Sequence, residues 1–413
     1  MEKTSSAPYR TFSYRWIVLI ALVPIIVSSE IFWLTFAPVA SYAKEFYNTS
    51  SLNIDLFSMS YMLMYILFTM PASLVIEKYG FKASVIIGSA LTVVFGATRF
   101  LFASNFTIVL VSQFLLAAGQ PFLVNISTKV PANWFPVGER ATASGILLMA
   151  QYIGFILPMI LSPIFAESLG IPAMLGVYAA FALLSAVAAI IFAKEKPAVL
   201  PGPEAPKESM SLKNMGRLLI KKNFIPVLIL SFITMGLFNT LMTMIEQIFK
   251  PRGITSVDAG IIGAVFIVSG IIGAVVLPLI SDKMGRRIPF LRTGISLLGL
   301  LTAALAFFGL YWLLLLSGAL LGFIIMGLAP ILFQHGAEVA YPVQEGASFG
   351  TIMLMGQVSG ILFVFLFDLL MNGTGTIIWP MLFLVVLAVA QIPVSAGMKE
   401  SRILLENRGK LEL

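Results

Sequence analysis

Glu30 and Trp33 stand three positions apart in "SSEIFWLTF". On a helix that spacing puts a carboxylate and an indole on one face. A carboxylate can hold a cation or a proton, and an indole face attracts a quaternary ammonium. Amides occur in comparably apolar surroundings: Gln120 in "GQPFLVN", Asn239 in "GLFNTL" and Gln357 in "GQVSGILF". An amide can hold a hydroxyl or an amine without adding charge. Glu246, next to Gln247, supplies a second carboxylate. The set suits holding a small polar or cationic molecule better than breaking a bond.

The wider composition removes most catalytic alternatives. There is no cysteine, so thiolate metal sites and thiol nucleophiles are excluded. The single histidine, His335, rules out a zinc site built on several histidines. No phosphate-cradling Gly-x-x-x-x-Gly-Lys motif is present, so ATP does not drive the protein, and no cofactor is expected. His335 and Glu338, one turn apart, are the nearest approach to a catalytic pair, and they read equally well as a polar helix end or a protonation switch.

The solvent that positions these residues is lipid. Of 413 residues 59% are hydrophobic and only 11% charged, against about 25% charged in soluble domains. Spanning a bilayer takes about 20 mainly apolar residues. Twelve such stretches are predicted, at 16–41, 53–76, 83–104, 106–128, 141–163, 172–193, 223–248, 258–280, 288–308, 311–334, 347–370 and 376–396. Residues 1–15 read as a cytoplasmic tail, 194–222 as a Pro-rich cytoplasmic linker and 397–413 as a second tail. This divides the chain into an N-terminal six-helix bundle at 16–193 and a C-terminal one at 223–396. With the N-terminus in the cytoplasm, Lys44, Arg99, Lys250 and Arg252 are the only basic residues outside cytoplasmic segments or their borders. That asymmetry is the positive-inside pattern. It explains the net charge of +7 without a nucleic-acid partner.

Ionisable residues within spans are costly and usually face a cavity or a partner. Glu30, Arg99, Glu246 and Asp368 are the candidates. Pro121 must interrupt the helix that carries Gln120, since it lacks the backbone donor. Broken helices in transporters line the cavity. The glycines Gly260, Gly263, Gly270 and Gly273 read as close helix packing.

The chain also repeats itself. "IEKYGFKAS" (76–84) follows the second span and "SDKMGRRIP" (281–289) the eighth. "WFPVGERATASG" (134–145) precedes the fifth span and "AYPVQEGASFG" (340–350) the eleventh. Both pairs are offset by roughly 205 residues, which marks two similar halves in parallel. The loops hold candidate gate residues: Asp282 with Arg286, and Glu139 with Arg140. Acid and base there can pair to latch one access state.

Asp282, Lys283, Gly285, Arg286 and Arg287 resemble the Gly-x-x-x-Asp-Arg-x-Gly-Arg-Arg signature of the major facilitator superfamily. "FWLTFAPV", "GQPFLVN", "TKVPANWFPVGERATA", "MIEQI", "EVAYPVQEGASFG" and "GQVSGILF" together resemble the feline leukaemia virus subgroup C receptor-related family, solute carrier family 49. That resemblance implies a facilitator of choline or ethanolamine, with haem and vitamins as other proposed cargo. It implies an aromatic cage flanked by two glutamines, which fall here on Trp33, Gln120 and Gln357. One departure stands out: the family's tyrosine in span seven is Asn239 here. Half the cage is then missing unless Phe36, Phe238 or Tyr152 supplies it.

The reading is therefore an all-α membrane protein of twelve helices in two bundles. It is a monomeric transporter of the plasma membrane with both termini cytoplasmic, working by alternating access on a small-molecule solute. Trp33, Gln120, Asn239, Gln357, Glu30 and Glu246 would contact the solute. The runner-up is a proton-coupled symporter or exporter of an organic anion or drug-like compound.

Overall fold

A computed structural model describes residues 10–201, 212–343, 345–401 and 404–405. The first nine residues of the expected tail, the centre of the expected linker and the last residues of the chain lie outside the described residues. Every described regular element is helical. This follows from the apolar composition, because in lipid each backbone N–H and C=O must bond within its own segment.

The helices in chain order are α1 (Tyr14–Leu34), α2 (Ala40–Tyr47), α3 (Ser51–Tyr79), α4 (Phe81–Leu101), α5 (Phe106–Ala117), α6 (Gln120–Val124), α7 (Lys129–Trp134) and α8 (Arg140–Phe192). They continue as α9 (Leu212–Leu219), α10 (Ile225–Thr243), α11 (Ile245–Phe249), α12 (Ser256–Met284), α13 (Ile288–Phe307), α14 (Tyr311–Ala340), α15 (Glu345–Thr374) and α16 (Ile378–Ala396). Among the described residues, eleven stretches are long and apolar enough to cross a membrane. One of them contains α8, which breaks at Gly170, where φ is 82° and ψ 162°. That backbone geometry favours glycine, and it divides α8 into the fifth and sixth expected spans. The architecture is thus the twelve-helix one.

Three spans are interrupted. Span one bends after Leu34 and continues as α2. Span four breaks between Ala117 and Gln120, beside Pro121, and again at Asn125–Ser127. Span seven breaks at Met244 before α11. Each interruption lies close to an expected solute residue: Trp33, Gln120 and Glu246.

The chain forms two compact units. The first comprises the described residues of Met1–Phe32, Leu67–Gly154 and Pro172–Lys207. Here α4 approaches the broken span four closely, for a Cβ on Gly88 would meet Leu123 at 2.7 Å. Ser84 donates to the Phe122 carbonyl at 2.7 Å. Asn125 donates to Thr69 and Ser73, tying span four to span two.

The second unit comprises the described residues of Trp33–Ile66, Phe155–Ile171 and Glu208–Leu413. In it α12 packs tightly against α14. A Cβ on Gly322 would overlap the Phe266 carbonyl, and one on Gly273 the Phe323 carbonyl. Backbones in lipid approach this closely only through small residues. Gly260 fits against Met159 in the same way.

Candidate functional site

Two expected solute residues meet in the first unit. Glu30, on α1, has no solvent exposure. The Gln120 side-chain amide donates to both of its carboxylate oxygens, at 3.0 Å each. Gln120 reaches it because α6 begins there, just past the break. Gly154 completes the enclosure, since a Cβ there would meet the Glu30 Cβ at 2.5 Å. No Lys or Arg pairs with Glu30 among the described residues. One neutral amide does not compensate an ionised carboxylate, so this position suits a positive guest or a proton.

The second unit holds the aromatic part. Trp33 is buried, and its ring meets Phe155 edge-on with centroids 5.0 Å apart. Phe155 continues to Phe238 at 6.4 Å, and Phe238 to Phe266 at 6.0 Å. Among the described residues the Trp33 indole N–H has no hydrogen-bond partner, which leaves a buried donor for a guest. Of the expected substitutes for the missing tyrosine, Phe238 belongs to this chain of rings. Phe36 instead stacks on Phe57 at 4.4 Å. Phe155 was not foreseen, because "YIGFILP" reads as an ordinary apolar span.

Asn239 is buried and donates to the Gly356 carbonyl at 3.1 Å. It therefore packs on α15 beside the half-buried Gln357. Glu246 is placed differently. It is fully buried and accepts from the Ser41 backbone N–H at 2.6 Å and from the Ser256 hydroxyl at 2.8 Å. Lys250 lies 3.6 Å away. Glu246 thus joins α2, α11 and α12, with its oxygens occupied. Arg99, in the first unit, is buried with its guanidinium 5.1 Å from the Phe32 ring.

The gate loops show paired motifs with altered partners. Gly80 and Gly285 both adopt positive φ, 88° and 57°. The expected Asp282–Arg286 pair does not form. Arg286 is exposed, and Arg287 bonds Asp282 at 3.2 Å and Glu338 at 2.8 Å. Gly285 turns the chain so that Arg287, not its neighbour, faces inward. Glu139 pairs with Arg15 at 3.2 Å, while Arg140 donates to the Phe135 carbonyl at 3.1 Å. Glu338 is also bound by Ser401, and His335 is buried, with no partner for Nδ1 among the described residues.

Two further carboxylates, one in each half, cap these loops. Glu195 accepts from the Lys82 backbone N–H at 2.7 Å and from Asn133 at 3.2 Å. Glu400 accepts from the backbone N–H groups of Arg287 and Ile288, both at 2.9 Å. Both sit at the start of a helix, where orphan donors attract an anion. Lys82 and Arg287, like Glu195 and Glu400, are 205 residues apart, so the internal repeat extends to this contact.

Comparison with known proteins agrees with this architecture. The family model described as Major Facilitator Superfamily matches residues 19–364. Solute carrier family 49 member A3 of Xenopus tropicalis is 28% identical over 386 residues, covering 89% of this chain and 80% of that one. The choline/ethanolamine transporter flvcr2a of Danio rerio is 26% identical over 405 residues, covering 91% and 85%. The human choline/ethanolamine transporter FLVCR2 is 26% identical, covering 88% and 73%. Among solved structures, a bacterial homolog of the human lysosomal transporter Spinster, inward-facing and unoccupied, superposes with a TM-score of 0.71. It is 15% identical and covers 94% of this chain and 97% of that one, which establishes the shared fold. The matched family model and twelve-helix architecture make this chain a member of the major facilitator superfamily, a multi-pass membrane transporter of small solutes and not an enzyme.

Proposed function

We propose that the transported solute is a small organic cation of the choline or ethanolamine class. The observation that carries this reading is Glu30: a fully buried carboxylate whose partner is one neutral amide. A cation supplies the missing charge. Trp33, backed by Phe155, offers an aromatic face worth about 2 kcal/mol to a desolvated quaternary ammonium. Gln120, Asn239 and Gln357 provide neutral donors and acceptors for its hydroxyl or amine. The names of the relatives support the same class.

In this reading the bundles 16–193 and 223–396 alternate access to the solute. The protein works as a monomer in the plasma membrane, with both termini cytoplasmic and no nucleic-acid partner. Glu246, whose oxygens already accept from Ser41 and Ser256, holds helices together instead of holding cargo. The deciding experiment is flux of radiolabelled choline and ethanolamine into proteoliposomes, compared with the same flux by Trp33→Ala. Uptake lost in the variant supports the reading; uptake absent in both, with a folded protein, ends it.

Glu30 also favours a second reading, in which it carries a coupling proton. An imposed pH gradient separates the two, because a facilitator ignores it.

A further inference from the structure

The bend in span one releases backbone carbonyls next to the proposed solute residue Trp33. α1 ends at Leu34, and helical form resumes only as a short turn at Ala37–Val39. The last four carbonyls of a helix have no partner within it. Pro38 also lacks the N–H that would have reached back to Leu34. Phe32 and Trp33 belong to that last turn of α1, and both are buried. Their carbonyls cannot turn to water, so each needs a donor from elsewhere.

Each is met by a side chain from a different span. In the first unit, the Gln113 amide of α5 donates to the Phe32 carbonyl at 3.0 Å. In the second, the Ser58 hydroxyl of α3 donates to the Trp33 carbonyl at 3.3 Å. Gln113 is fully buried and Ser58 nearly so. The Phe32 ring is held as well. A Cβ on Gly96 would meet it at 3.0 Å, and the Arg99 guanidinium lies 5.1 Å from it. Phe32 is thus fixed by its ring and by its carbonyl, one residue before Trp33. Span four meets α1 twice, through Gln113 at Phe32 and Gln120 at Glu30.

We propose that Gln113 and Ser58 are positioning residues of the solute site, which aim the Trp33 indole by holding the carbonyls on either side of its Cα. Two rigid peptide planes meet at that atom, and each is tied down by one of these bonds. With both planes held, the Cα–Cβ bond has one direction, and the ring meets Phe155 edge-on. Both side chains act through the backbone. A quaternary ammonium is attracted only when it sits over the ring face. An indole that turns away therefore loses its preference for a cation while keeping its apolar contact.

The effect on selectivity rests on the proposed cationic cargo, and the test keeps the two apart. The chain has five tryptophans. Replacing Trp16, Trp134, Trp312 and Trp379 with Phe leaves Trp33 as the only emitter. Gln113→Met and Ser58→Ala remove the donor at nearly constant volume. Each should shift the Trp33 emission to longer wavelength and lower its anisotropy. Ser58→Thr keeps the hydroxyl and should resemble the parent. A second chain that keeps Trp134 alone reports general loosening, and its emission should not move. With all five tryptophans present, the advantage of choline over its neutral isostere 3,3-dimethylbutanol in binding should fall by up to about 30-fold. In a Trp33→Ala background neither substitution should change that ratio further, because both act through Trp33. The two substitutions lie on different helices, so if one variant fails to fold the other decides. Trp33 emission unchanged in the folded variants overturns the positioning role. So does emission of Trp134 that moves along with it, or an equal loss for both ligands. Trp33 emission that responds in a protein whose parent form binds no choline upholds the positioning role and ends the cargo reading.

Discussion

The side-chain amide of Gln120 bridges both carboxylate oxygens of Glu30 at 3.0 Å. Nothing else polar satisfies that carboxylate among the described residues. The pair exists because span four breaks one residue before Gln120, which frees its side chain to reach α1.

Removing the amide leaves a buried carboxylate without a donor. Gln120→Ala should cost about 1–3 kcal/mol, read as a lower midpoint of thermal unfolding in detergent. Glu30→Gln should lessen the cost in the double variant, because the two residues are coupled. Additive losses would show that the contact carries no energy.

Trp33→Ala should weaken binding of a quaternary ammonium by about 30-fold, equivalent to roughly 2 kcal/mol. Trp33→Phe should recover part of it. The neutral isostere 3,3-dimethylbutanol should lose less than choline in the same variant. Equal losses for both ligands, measured by ligand-induced thermal shifts, would mean that the indole contributes packing alone.

Arg287 and Arg286 should differ sharply although they are neighbours. Arg287 and Glu338 are about one-tenth exposed, so Arg287→Ala strands a buried acid at a cost of about 3 kcal/mol. Arg286 is exposed, and Arg286→Ala should change stability by less than about 0.5 kcal/mol. Parallel unfolding curves of the two variants check the contrast.

Gly322→Val should be poorly tolerated, since its Cβ would overlap the Phe266 carbonyl and push α14 off α12. Overpacking of this kind costs about 1–3 kcal/mol. Gly216, with open space around its Cβ position, is the control. Yield of monodisperse protein and unfolding temperature are the readouts.

Much of this was legible in the sequence, for reasons that differ by residue. Span lengths follow from hydrophobic runs and bilayer thickness. The Pro121 break follows from a missing donor, and the turns at Gly80 and Gly285 follow from the repeated loop. Which of two adjacent arginines faces inward did not follow, because a one-residue rotation decides it. Phe155 was hidden because an aromatic within an apolar span resembles its lipid-facing neighbours. Asp55 lies in the first turns of α3, where a charge usually meets headgroup water, and only packing shows it buried. Glu195 and Glu400 stood in stretches read as linker and tail, and a single acid there carries no pattern.

Those last two acids have a consequence for biosynthesis. Glu195 follows the sixth span and Glu400 the twelfth, yet each closes a turn made more than a hundred residues earlier. As the chain leaves the ribosome, neither half can complete its own fold until its closing residue has emerged. Each carboxylate is therefore a finishing clasp, and a nascent chain halted just before Glu195 would carry six inserted helices, or just before Glu400 twelve, with an open loop.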